Sequence, residues 1–156
     1  MKDVKIVFVQ EPELRAEIAG LILNALPDWF GLPESTQAYI DESWELPFWA
    51  AYLEEKPLGF VSLKQTSQSA AEVRYMGVLP QYHRQSIGKR LMDALTDYAK
   101  QGGYRLLQVK TVDAGHYPEY DRTIAFYERM GFLRLEVFPT LWDEWNPCLV
   151  LVKAIY

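Results

Sequence analysis

The run Ala71-Glu72-Val73-Arg74-Tyr75-Met76-Gly77-Val78-Leu79, continuing through a polar loop into Ser86 to Leu91, holds the densest set of chemistry-bearing residues in the chain. Its first half is β-rich and ends at Val78-Leu79, and its second half opens a helix near Ser86. Such a strand-loop-helix junction leaves backbone N–H groups without intrahelical acceptors and aims the positive end of a helix dipole outward. It is therefore a ready receptor for a phosphate or pyrophosphate. Arg84, Lys89 and Arg90 add cations beside it. The same residues also suit an ordinary solvated helix start. Gly88 alone makes neither a G-x-G-x-x-G nor a G-x-x-x-x-G-K-[ST] fingerprint. His116, in the loop Gly115-His116-Tyr117-Pro118, is of a type that titrates near neutral pH, and it fits either an alternative base or a solvated loop residue. Cys148 sits in a strand-like run with no histidine near it in sequence and reads as a small buried hydrophobe, not a nucleophile.

These residues need elements to hold them. Val4 to Val9 is β-branched and aromatic and stops at Gln10-Glu11-Pro12, which predicts a first strand followed by a helix to about Leu26. Leu14, Ile18, Leu21, Ile22 and Ala25 form one stripe of that helix, and a second short helix runs from about Pro33 to Trp44. From Pro47 the period changes: FWAAYLE, PLGFVSLKQ and AEVRYMGVL read as three consecutive antiparallel strands separated by turn-formers. Ser86 to Lys100 reads as a helix with Ile87, Leu91, Leu95 and Tyr98 on one face, closed by Gly102-Gly103. Tyr104–Val112 (strand), Pro118–Met130 (helix), Phe132–Phe138 (strand) and Cys148–Ile155 (strand) complete the order β-α-α-β-β-β-α-β-α-β-β. With 156 residues and no linker, repeat or low-complexity segment, one domain over residues 1–156 is expected.

Composition narrows the function. Hydrophobic residues at 49% and charged residues at 24% describe an ordinary globule with a core. Sixteen Lys+Arg against 21 Asp+Glu give a net charge of -5, so there is no overall basic field for nucleic acid or an anionic membrane surface. The single cysteine excludes an internal disulfide and a cysteine-based zinc cluster, and it fits a reducing compartment. No apolar run reaches the length of a membrane span or a signal peptide, so a cytoplasmic location is expected.

Two units in this order carry a family likeness. Val78-Leu79-Pro80 followed by His83-Arg84-Gln85-Ser86-Ile87-Gly88 matches a V-x-P strand end and a [Q/R]-x-x-G-x-[G/A] loop. Phe126, Tyr127, Gly131 and Phe132 match F-Y-x-x-x-G-F. The chain resembles the GNAT superfamily of acetyl-CoA-dependent N-acetyltransferases over nearly its whole length. It departs from the pattern at His83, at Ser86 in place of the first motif glycine, and at Tyr120, where many relatives carry asparagine.

The resemblance implies an α/β (α+β) fold, a mixed, mostly antiparallel seven-stranded sheet with helices on both faces. It implies acetyl-CoA (CoA) as cosubstrate, held by Met76, Gly77, Val78, His83, Arg84, Gln85, Ser86, Ile87, Gly88, Lys89 and Tyr127. The implied reaction is direct acetyl transfer to a small-molecule or peptide amine in a ternary complex, without a metal and without nucleic acid or membrane as partner, with a homodimer as a possible assembly. Glu72 matches the family's catalytic base, its alternative being a charged strand residue paired with Arg74. The backbone at Gly77 and Val78 matches an oxyanion donor. Tyr127 matches the acid for the leaving thiolate, its alternative being a packed helix aromatic. Trp29, Phe30, Trp142, Asp143 and Glu144, with Trp145, fall in segments that flank the acceptor cleft in relatives, where aromatic faces and carboxylates attract an ammonium group. The rival reading is a non-catalytic acyl-CoA-binding or regulatory module on the same scaffold.

Overall fold

The computed structural model describes residues 3–29 and 32–156. Its elements run β1 (Val4–Phe8), α1 (Pro12–Asn24), α2 (Pro33–Glu42), β2 (Phe48–Leu53), β3 (Lys56–Gln65), β4 (Ala70–Val78), α3 (Ile87–Gln101), β5 (Leu106–Val112), α4 (Pro118–Arg129), β6 (Leu133–Phe138) and β7 (Cys148–Ala154), the order read from the sequence. A short 3-10 turn at Pro80–Tyr82, between β4 and α3, is an addition. The seven strands form one sheet in the order β1-β2-β3-β4-β5-β7-β6, with β4 and β5 parallel and the β1–β2, β2–β3, β5–β7 and β6–β7 pairs antiparallel.

The chain divides into two compact units. One comprises residues 1–64 and 73–99, the other residues 65–72 and 100–156. In the first unit, α1 lays Ile18, Ala19, Ile22 and Leu23 on Phe48, Ala50, Phe60, Tyr75 and Leu79. Trp49 alternates with Phe48 and Ala50 along β2, so it points to the opposite face, where Tyr98 of α3 meets its ring edge-on at 5.1 Å and Phe8 at 5.8 Å. This sheet portion is therefore covered by helices on both sides. Close approach between β3 and β4 requires Gly59: a Cβ there would lie 2.8 Å from the Gly77 carbonyl oxygen and 3.2 Å from Val78 Cα.

In the second unit, α4 buries Ile124 and Tyr127. It stops at Gly131, whose φ of +96° lets Gly131 N–H donate to Glu128 O and Phe132 N–H to Tyr127 O, both at 3.0 Å. The motif glycine is thus a helix stop that swings Phe132 back against the Tyr127 ring at 5.7 Å. β7 is buried along Cys148 to Leu151, whereas the edge strand β6 is exposed throughout.

Candidate active site

The first unit holds the junction. β4 ends at Met76-Gly77-Val78, and Leu79 N–H donates to Leu58 O at 2.8 Å, so the strand stays paired to its last residue. A Cβ on Gly77 would meet Ile22 Cγ2 and Leu26 Cδ1, each at 2.9 Å, which shows how closely α1 lies over the strand end. His83 Nε2 lies 2.7 Å from Val78 O. A carbonyl only accepts, so this nitrogen carries the proton and the ring is turned back toward the strand end, where Trp29 meets it edge-on at 6.1 Å. The side chain of His83 thus braces the loop.

Arg84 and Ser86 both have a φ of +64°, the left-handed region in which a Cβ is strained. The family motif expects glycine at 86, and the loop keeps the glycine backbone without the glycine. Arg90 N–H donates to Ser86 O at 3.1 Å as the first helical bond of α3, so the amides of Ile87, Gly88 and Lys89 precede the helical ladder. Lys89 pairs with Asp93 at 2.7 Å along the exposed side of α3, so its ammonium is shared with a carboxylate instead of standing free beside the loop. Ile87 is buried, while Arg84, Gln85 and Ser86 are exposed.

The same unit contains a cluster that the sequence reading did not single out. The Glu42 carboxylate on α2 accepts from Arg74 Nε at 2.7 Å, Tyr75 OH at 2.5 Å and Lys64 Nζ at 3.0 Å. Burial pushes the Glu42 carboxyl up, but the three donors outweigh it and bring it down to about 2. Burial and the bond to Glu42 together drive the Tyr75 phenol well above its ordinary value. Arg74 is therefore tied to Glu42 on α2.

The second unit holds Glu72, 4% exposed, with Lys110 Nζ 3.3 Å from its Oε1. Tyr127 is buried between Phe126 and Phe132, with ring centroids at 5.4 and 5.7 Å, and burial raises its phenol well above the ordinary value. The pKa match between phenol and thiol is thus looser than the sequence alone suggests, and the hydroxyl stays protonated at neutral pH. Cys148 is fully buried, and its thiol is pushed up by burial, with Lys110 opposing and Glu72 adding to the rise.

In the loop after β6, Asp143 Oδ1 accepts from the N–H groups of Trp145 and Asn146, both at 2.8 Å. The Asn146 side chain first, then these amides, lower the Asp143 carboxyl. Asp143 therefore builds its own turn, with Trp142 and Trp145 exposed around it and Glu144 on the surface. His116 is exposed, and Tyr120 packs against Tyr117 at 5.9 Å. Phe30 lies outside the described residues. Among the described residues no cluster of three or more His, Cys, Asp or Glu could hold a metal ion, and no helix is long and apolar enough to cross a membrane.

Three contacts went unread in the sequence: Lys110 with Glu72, Glu42 with Arg74 and Tyr75, and Gly59 beneath Gly77. The available signals were a lysine inside the apolar strand LLQVKTV and a glycine inside a β-rich run.

Sheet order and motifs together define an acyltransferase-type α/β fold, and comparison with known proteins agrees. Residues 16–132 match the model of the Acetyltransferase (GNAT) family, and the chain belongs to that family. It is 35% identical over 77 residues to the N-alpha-acetyltransferase RimI of Mycobacterium tuberculosis, covering 49% of this chain and 44% of that protein. The chain spans less than half the length of the curated relatives it matches, 47% and 44%. Among solved structures, a GNAT-family protein of Desulfovibrio desulfuricans superposes with a TM-score of 0.83 at 17% identity, covering 99% of this chain and 100% of that one. An aminoglycoside 6'-N-acetyltransferase in complex with coenzyme A superposes at 0.76 and 19% identity, covering 97% of each chain. At these identities the likeness is one of fold.

Proposed function

We propose that residues 1–156 act as one acetyltransferase domain that moves an acetyl group from acetyl-CoA to a primary amine by direct transfer in a ternary complex. The observation that carries this reading is the backbone of the loop before α3. Arg84 and Ser86 are held left-handed at φ +64° although neither is glycine, and such strain persists where function needs the conformation. The loop and the free amides of Ile87, Gly88 and Lys89 would cradle the pyrophosphate at a helix N-terminus, with Arg84 as counter-charge. Met76, Gly77 and Val78 would line the acyl and pantetheine end of the cofactor by their backbone.

In this mechanism Glu72 takes a proton, through a water, from an amine whose free pKa is about 10.4. The neutral amine attacks the thioester carbonyl, and the C–N bond forms as charge gathers on oxygen. Backbone N–H at Gly77 or Val78 stabilises that oxyanion. Collapse breaks the C–S bond and expels the CoA thiolate, to which the Tyr127 hydroxyl donates. Glu144, Trp142 and Trp145 supply a carboxylate and aromatic faces for the incoming ammonium, with Trp29 in the same role on the loop after α1. A cytoplasmic site of action fits the free, buried Cys148.

The buried Glu72–Lys110 pair favours one rival, an acyl-CoA-binding module in which Glu72 is structural. Two substitutions separate the readings. Tyr127→Phe keeps the ring packing and is expected to lower kcat about 10²-fold with CoA affinity little changed. Glu72→Gln is expected to slow turnover most at low pH, with the defect shrinking as the free amine becomes available. Wild-type rates for both variants across pH 6 to 9 would remove these roles.

A further inference from the structure

The loop after β6 carries Trp142, Glu144 and Trp145 without regular secondary structure, so something else must fix the direction in which it points. Its shape is its own work, because Asp143 Oδ1 accepts from the N–H groups of Trp145 and Asn146. The Asn146 amide then uses both of its ends. Its Nδ2 donates to each Asp143 carboxylate oxygen at 3.2 Å, and its Oδ1 accepts from the Tyr117 hydroxyl at 3.2 Å. An ionised carboxylate only accepts, so the amide nitrogen must face Asp143, which turns the amide oxygen to the phenol. Tyr117 is itself anchored as the residue that opens α4: its carbonyl accepts from the N–H groups of Tyr120 and Asp121, and its ring meets Tyr120 at 5.9 Å. Beneath the turn, Asp113 N–H donates to Pro147 O at 2.9 Å, which pins the stem to the residue after β5.

We propose that the Tyr117–Asn146 hydrogen bond is a latch that orients the Trp142–Trp145 turn against α4, and that both are positioning residues for the amine acceptor. The turn takes its shape from Asp143 and its direction from the latch. Removing the phenolic hydroxyl leaves the turn formed but lets it swivel about its stem. A smaller fraction of molecules then presents the aromatic faces to the ammonium group, and apparent acceptor affinity falls by that fraction. The cofactor loop lies in the other unit and the chemical groups are unchanged, so CoA affinity and the chemical step stay as they are. This inference rests on the reading of that turn as part of the acceptor site.

The test uses the full chain labelled with 5-fluorotryptophan. Without any substrate, Tyr117→Phe is expected to shift or broaden the 19F signals of Trp142 and Trp145, while that of Trp49, buried in the first unit, stays in place. With spermidine, kanamycin, lysine and an alanine-initiated peptide as amine probes, Tyr117→Phe is expected to raise the KM of accepted amines about three- to tenfold, with kcat within about twofold. Asn146→Ala should raise KM at least as much, and adding Tyr117→Phe to it should cost nothing further, because both act through one bond. Unmoved Trp142 and Trp145 signals, or additive effects of the two substitutions on KM, would overturn the latch. Moved signals with a wild-type KM would overturn the acceptor role of the turn and leave the latch standing. No amine-dependent thiol release by the wild-type chain with any of the four probes would overturn the transferase reading, while the 19F spectra still decide the latch.

Discussion

Ser86 shows how a single side chain records a constraint on the backbone. A non-glycine residue at φ +64° costs on the order of 1–2 kcal/mol, and its neighbour two positions back carries the same strain. Ser86→Gly removes that strain but gives the unfolded chain more freedom, worth about 0.5–1 kcal/mol in the opposite direction. A small net stabilisation, up to about 1 kcal/mol, is expected in chemical denaturation, with CoA affinity kept. A clear loss of stability would mean that the serine hydroxyl contributes more than the strain costs. The motif departure was legible in the sequence, because position 86 could be aligned with a glycine. The shared strain at Arg84 was not, because it depends on how the loop closes onto Val78 through His83.

Elements were legible where periodicity was strong. The apolar stripe Ile87, Leu91, Leu95 locates α3 to within a residue at each end, and the Tyr127–Phe132 turn follows from Gly131. What a pattern cannot show is pairing at a distance: Lys110 meets Glu72 across 38 residues, and Glu42 meets Arg74 across 32. The bond from Arg74 to the helix carboxylate, at 2.7 Å, is one that the strand pattern alone does not show. Likewise β7 inserts between β5 and β6, an order that adjacency in sequence does not reveal.

The Glu42 node also makes a prediction at this scale. Its carboxyl is lowered from 4.5 to about 2 by bonds from Tyr75, Arg74 and Lys64, which overcome the opposing effect of burial. A lowered folded-state pKa gives stability that is fully present above the unfolded value and lost as pH falls through the folded one. The tie of α2 to β3 and β4 should therefore weaken between pH 4.5 and about 2. Glu42→Gln should melt below wild type at pH 6, with the gap closing toward pH 2. A gap of constant size over that range would show that the charge is not what holds the helix.

At the scale of the whole molecule, an acidic chain of net charge -5 belonging to the GNAT family sets exposed tryptophans and Glu144 on the loop after β6, and a loop with left-handed Arg84 and Ser86 before the N-terminus of α3. The charge favours a cationic acceptor, and a helix N-terminus favours an anionic ligand. Free thiol release from acetyl-CoA across a panel of polyamine, aminoglycoside, amino acid and peptide amines is the most direct measurement, with CoA binding followed in parallel by thermal shift. Release that depends on one class of amine and rises with pH, together with a CoA-induced increase in melting temperature, is the expected result. A CoA-induced shift with no amine-dependent thiol release across the whole panel would contradict the transferase reading and leave a cofactor-binding module in its place.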